Sequence, residues 1–106
     1  MIKRGAKAIW EGDLKQGKGV LSVESGAFTG KYSFTSRFED GKGTNPEELI
    51  GAAHAGCFSM ALSGDLTKAG YVVNEIQTEA TVSMEKGEGG FEITGIHLRT
   101  KAKVPE

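Results

Sequence analysis

One cysteine, Cys57, is all the thiol that this chain of 106 residues contains. An internal disulfide is therefore excluded, and the thiol is either an inert buried group or a reactive one in a reducing compartment. Neither sign of charge is in excess: 13 Lys and Arg against 14 Asp and Glu give a formal net charge of −1. With no basic run to grip phosphates, nucleic acid is not an expected partner. No apolar stretch approaches the length of a membrane span, and the N-terminus MIKRGAKAIW has no long apolar core or small-residue cleavage site. The expectation is a cytoplasmic protein with no membrane partner. One cysteine and two histidines, His54 and His97, offer no ligand spacing for zinc, and neither a metal nor a cofactor is expected.

What is present is the composition of one globular domain over residues 1–106, 38% hydrophobic and 25% charged, organised around the segment TNPEELIGAAHAGCFSMALSGDLTKAG at residues 44–70. Asn45 suits an N-cap, Pro46 the first helical position, and Glu48 the third residue of a capping box. Lys68 and Gly70 supply the complementary stop. Between them residues 49–62 are apolar or small nearly all round, which predicts a long helix buried on most sides.

The flanking segments read as strands. Residues 3–11 place Ala6, Ala8 and Trp10 on one face, and a turn marked by Gly12, Asp13, Gly17 and Gly19 leads to a strand at 20–24. After a turn at 25–30, residues 31–38 alternate, with Tyr32, Phe34 and Phe38 on one face and Ser33, Thr35 and Arg37 on the other. A polar loop at 39–43 delivers the chain to the helix. Beyond it, residues 73–85 carry Ile76, Ala80, Val82 and Met84 at strand spacing, and Gly87, Gly89 and Gly90 mark a reversal. In the last strand, 91–104, the apolar phase passes from odd positions (Phe91, Ile93) to even ones (Ile96, Leu98, Ala102, Val104). That switch predicts a bulge at or near Gly95. The fold class is α+β: a largely antiparallel sheet wrapped around a long central helix.

The chemistry centres on Cys57. A lone cysteine on an apolar helix is more often a small hydrophobic filler than a nucleophile. Two features favour reactivity: Gly51, Ala52, Ala53, Ala55 and Gly56 leave room for a substrate or another backbone, and Arg37 is a cation able to hold a thiolate. At about 100° per residue, Glu47, His54 and Cys57 fall within an arc of about 80° and look outward on one side of the helix. Glu47 and Cys57 are nevertheless about 15 Å apart along the axis, too far for the carboxylate to serve its own sulfur. A second helix packed antiparallel, with the two-fold near Ala52, would bring Glu47 of one copy level with Cys57 of the other, so an isologous homodimer with composite sites is expected. His54, one turn before Cys57, has the spacing of a Cys–His pair. The plainer reading, a helix histidine bonded to backbone or to the dimer partner, is preferred. Glu47 also suits the first turn through the helix dipole alone, and Arg37 could be an ordinary solvated strand residue.

The run TNPEELIGAAHAGCFSMAL, preceded by SRFEDGKG and followed by ITGIHLRTKAKVP, together with AIWEGDLKQGKGVLSVESG near the N-terminus, resembles the osmotically inducible protein C (OsmC) branch of the OsmC/Ohr family of thiol peroxidases. The resemblance covers essentially the whole chain. It implies an OsmC-like intertwined homodimer, cytoplasmic, that reduces organic hydroperoxides as substrate. It also implies that Cys57 is the peroxidatic cysteine and becomes a sulfenic acid, that Arg37 keeps the sulfur ionised and orients the peroxide, and that Glu47 positions that arginine. Family members normally continue into a further helix bearing a second, resolving cysteine, so this sequence is expected to be a C-terminally shortened piece of a longer protein. If it is complete, recycling needs an external thiol or dithiol reductant. The alternative from another class is a non-catalytic, dimeric, stress-associated binding module on the same scaffold.

Overall fold

Alternation of small and bulky residues builds the first hairpin. In the computed structural model, which describes residues 1–105, β1 (Ala6–Glu11) and β2 (Lys18–Val23) pair antiparallel from Ala6 opposite Val23 to Glu11 opposite Lys18. The connecting turn is closed by Asp13, whose carbonyl accepts from the Gly17 amide at 2.9 Å and whose carboxylate accepts from the Gln16 amide at 2.7 Å. Gly12 supplies its positive φ of 98°, the conformation that glycine adopts without penalty. β3 (Thr29–Tyr32) returns along β2, giving the sheet order β1-β2-β3. Gly19 of β2 lies opposite Trp10 on one side and Tyr32 on the other, and the two rings close over it with centroids 5.3 Å apart.

The strand expected at 31–38 ends early, at Tyr32, and a short helix α1 (Phe34–Phe38) follows. Arg37 therefore stands in the last turn of a helix, not on a strand face. The cause is local hydrogen bonding. Ser33 is an N-cap whose hydroxyl accepts from the Ser36 amide at 3.2 Å, while the Ser33 amide donates to the Ser36 hydroxyl at 2.8 Å. This reciprocal box satisfies two donors that the helix start would otherwise leave without a partner. Phe34 and Phe38 share the parity of a strand but also the i, i+4 spacing of a helix, and their rings meet at 5.1 Å. The turn expected at 25–30 gives way to strand from Thr29.

Residues Met1–Pro46 make one compact unit, and a second begins at Glu47. The long helix α2 (Pro46–Lys68) starts and stops where its caps predict. Gly70 adopts φ 93°, its amide donates to Thr67 O at 3.0 Å, and the Tyr71 amide donates to Leu66 O at 3.0 Å. These two bonds are the paired closures of a Schellman motif. β4 (Glu75–Gly87) and β5 (Gly90–Lys103) form an antiparallel ribbon. Its register runs regularly until Ser83 pairs with Gly95 and Met84 with Ile93, leaving Thr94 as the extra residue of a bulge. The phase change in the apolar pattern of β5 has this physical origin.

Along β4, Ile76, Thr78, Ala80, Val82 and Met84 are half-buried while their neighbours are exposed. This face receives α2: a Cβ added at Gly51 would sit 3.1 Å from Val82 Cγ2 and 3.4 Å from Ala80 Cβ. The expected burial of α2 on most sides is not what this chain provides, since only Glu47 and Gly51 of the helix are buried. Gly and Ala all round allow close approach on any side without supplying the neighbours. One ribbon covers one face.

Candidate active site on the long helix

Residues on α2 fall into two faces. Gly51, Ala55, Ser59, Leu62, Ser63 and Leu66 are buried or half-buried, and at about 100° per residue they span an arc of about 120°, in which Gly51 meets Val82 and Ala80 and Ser59 meets Thr78 of β4. Cys57 is about 160° from Ser59 around the same axis, and its thiol is free and exposed. Small residues surround it: Gly56 has no heavy atom within 4 Å of where a Cβ would stand, and Ala53 is exposed. Phe58 and Met60, one and three residues after the thiol, are 40% and 80% exposed. An exposed thiol with open space beside it can be reached by a small electrophile, as nucleophilic chemistry requires.

Glu47 departs from the expectation that it looks outward with His54 and Cys57. It is 8% exposed, whereas His54 and Cys57 are exposed. Sharing an angular arc does not equalise burial along an axis, and Glu47 lies in the first turn, about 15 Å from Cys57. Arg37 belongs to the first compact unit, Glu47 and Cys57 to the second. The Arg37 guanidinium carbon lies 5.0 Å from the centroid of the Phe38 ring, a cation–π distance that holds the side chain near the end of α1. Asn45, just before α2, donates from its side-chain amide to Ser36 O at 3.2 Å, tying the loop 39–45 back to α1.

Two features escape sequence reasoning. The Ser33–Ser36 box places Arg37 on a helix; its signal is the S-x-x-S spacing, masked by the alternation around it. A chain of hydroxyls joins α2 to the ribbon: Ser59 Oγ lies 2.6 Å from Thr78 Oγ1, which lies 3.2 Å from Thr100 Oγ1. A threonine on the otherwise apolar inward face of β4 is the only trace of it in the sequence.

The model of the OsmC-like protein family matches residues 39–106. This chain belongs to the OsmC-like protein family. Its relatives include peroxiredoxin OsmC of Escherichia coli (strain K12) and of Shigella flexneri, each 54% identical over 105 residues, covering 98% of this chain and 73% of the relative. Among solved structures, the organic hydroperoxide resistance protein OhrB of Bacillus subtilis is 28% identical, with a TM-score of 0.69 over 93% of this chain and 72% of that one. An organic hydroperoxide resistance protein OsmC from Legionella pneumophila, at 23% identity and a TM-score of 0.73 over 96% of this chain and 72% of that one, supports the fold alone. The α+β class with antiparallel sheets and one long helix is thus the OsmC-like fold, and the match includes α2 with Glu47 and Cys57.

Proposed function

We propose that this OsmC-family chain is a thiol peroxidase that reduces organic hydroperoxides through Cys57. The observation that carries the reading is an exposed thiol on a helix of small residues, in a chain 54% identical to a peroxiredoxin. The Cys57 thiolate attacks the terminal oxygen of ROOH, the S–O bond forms as the O–O bond breaks, and the departing alkoxide takes up a proton and leaves as ROH. Sulfur gives up the electron pair and becomes a sulfenic acid. An external dithiol then reduces it: one thiol displaces water to form a mixed disulfide, and the second closes the donor's own disulfide and frees the Cys57 thiol. Arg37 holds the sulfur as thiolate and orients the peroxide, and Glu47 positions the guanidinium. Phe58 and Met60 favour an apolar substrate tail.

The working form in this reading is a cytoplasmic homodimer in which the 106 residues act as one domain. No hydrophobic side chain among the described residues is buried, and α2 displays Ile50, Phe58 and Met60 at 41%, 40% and 80% exposure. A chain of this size ordinarily encloses a core, so a second copy crossing the exposed side of α2 near Ala52, with Cys57 still open to a small peroxide, accounts for both facts, Glu47 of one protomer serving Cys57 of its partner.

The test is stoichiometric. Reduced protein mixed with one equivalent of cumene hydroperoxide, with dimedone as trap, is expected to carry the label at Cys57 at a rate well above that of free cysteine, and Cys57→Ala to carry none. A thiol no faster than free cysteine would favour the non-catalytic binding module instead.

A further inference from the structure

We propose that Ser59, Thr78 and Thr100 form a positioning relay that fixes the rotation of α2 at the turn carrying Cys57, and thereby aims the thiol at the peroxide; this rests on the peroxidase reading above. The hydroxyls run in sequence from the helix to β4 to β5, at 2.6 Å from Ser59 Oγ to Thr78 Oγ1 and 3.2 Å from Thr78 Oγ1 to Thr100 Oγ1. All three residues are half-buried. Thr78 and Thr100 are paired across the ribbon, so the central hydroxyl is held from two sides and can donate to one neighbour while accepting from the other.

The apolar part of this face, Gly51 against Val82 and Ala80 with half-buried Ala55, Leu62 and Leu66, packs without direction and tolerates the helix rolling by some degrees. A hydrogen bond between hydroxyls is directional and weakens steeply when misaligned. It therefore selects one rotation out of those that apolar packing allows. Because Ser59 is two residues past Cys57, about 200° further along the helical sweep, pinning Ser59 to the ribbon points Cys57 away from it. A helix that rolls at this turn carries the sulfur sideways by the same angle. Displacement of a nucleophile from its attack line is where small misplacements cost most. Ser59, Thr78 and Thr100 need touch neither substrate nor sulfur to act in this way.

The experiment compares two reagents on the full chain. Wild type, Ser59→Ala, Thr78→Val and Thr100→Val, with Ser59→Thr and Thr78→Ser as hydroxyl-keeping controls, are reacted with cumene hydroperoxide and, separately, with iodoacetamide, whose attack does not depend on peroxide-orienting groups. Ser59→Ala and Thr78→Val are expected to lower the peroxide rate about tenfold or more while alkylation stays within twofold. Thr100→Val, which removes only the longer bond, is expected to have the smaller effect, and the two controls to retain rates within about threefold of wild type. Peroxide rates unchanged in Ser59→Ala and Thr78→Val, or peroxide and iodoacetamide rates falling in parallel, would overturn the relay. So would a loss in the hydroxyl-keeping controls as large as in the hydroxyl-free variants. If wild type itself fails to react with the peroxide, the peroxidase reading fails and the relay with it; if wild type reacts and the variants match it, the relay alone fails.

Discussion

Trp10 and Tyr32 face each other across Gly19, their ring centroids 5.3 Å apart and their planes tilted by 53°. A Cβ at Gly19 would stand 2.5 Å from Tyr32 Cε1 and 2.6 Å from Trp10 Cε3, inside the contact distance of either ring. Gly19→Ala is expected to destabilise the chain by about 1–3 kcal/mol, as overpacking does. Urea unfolding followed by the fluorescence of Trp10, the one tryptophan present, measures this directly.

Ser33→Ala removes the hydroxyl that caps α1 and is expected to cost about 1 kcal/mol, whereas Ser33→Asp, which can still accept from the Ser36 amide, is expected to remain close to wild type. Because α1 carries Arg37, the alanine variant is also expected to slow oxidation of Cys57 by cumene hydroperoxide, and the aspartate variant to slow it less. Denaturation midpoints and stopped-flow rates on the same three proteins check both parts.

Arg37→Ala is expected to lower the second-order rate of Cys57 oxidation by about 10²-fold, the usual loss when one charge-stabilising group is removed from a reacting centre. Arg37→Lys keeps the charge but not the planar fork, and an intermediate rate is expected. Equal rates in wild type and Arg37→Ala would remove the arginine from the mechanism.

Gly51 is buried where α2 meets β4. Gly51→Val forces a branched side chain against Val82 and Ala80 and is expected to lower stability by about 1–3 kcal/mol, although valine is a better helix former than glycine. A thermal unfolding scan that showed stabilisation would mean the two elements are not held at this distance.

Light scattering is expected to return twice the 11.2 kDa chain mass. The proposed composite site has a sharper consequence. Cys57→Ala and Glu47→Gln, each inactive alone, are expected to regain about a quarter of wild-type peroxide turnover when unfolded together and refolded as a mixture, since half the dimers are mixed and each mixed dimer holds one intact site. No recovery on mixing would mean that Glu47 does not serve the partner's sulfur.

Much of the architecture is written in short-range signals. The caps of α2 at Pro46 and Gly70 depend on backbone preferences of single residues, and the bulge at Thr94 is visible as a change of parity in the apolar pattern of β5. Each is settled within a few residues, and the mid-helix position of Cys57 is legible for the same reason. Packing between distant segments fixes which face of α2 the ribbon covers, that Glu47 is buried while Cys57 is exposed, and that Ser59 meets Thr78 across 19 positions. That residues 34–38 coil instead of extending is a local choice: the two phenylalanines satisfy both periodicities, and the Ser33–Ser36 box settles it. Burial and hydroxyl pairing depend on groups far apart in the chain, and a helix lined with glycine and alanine on every side carries no mark of which side will be chosen.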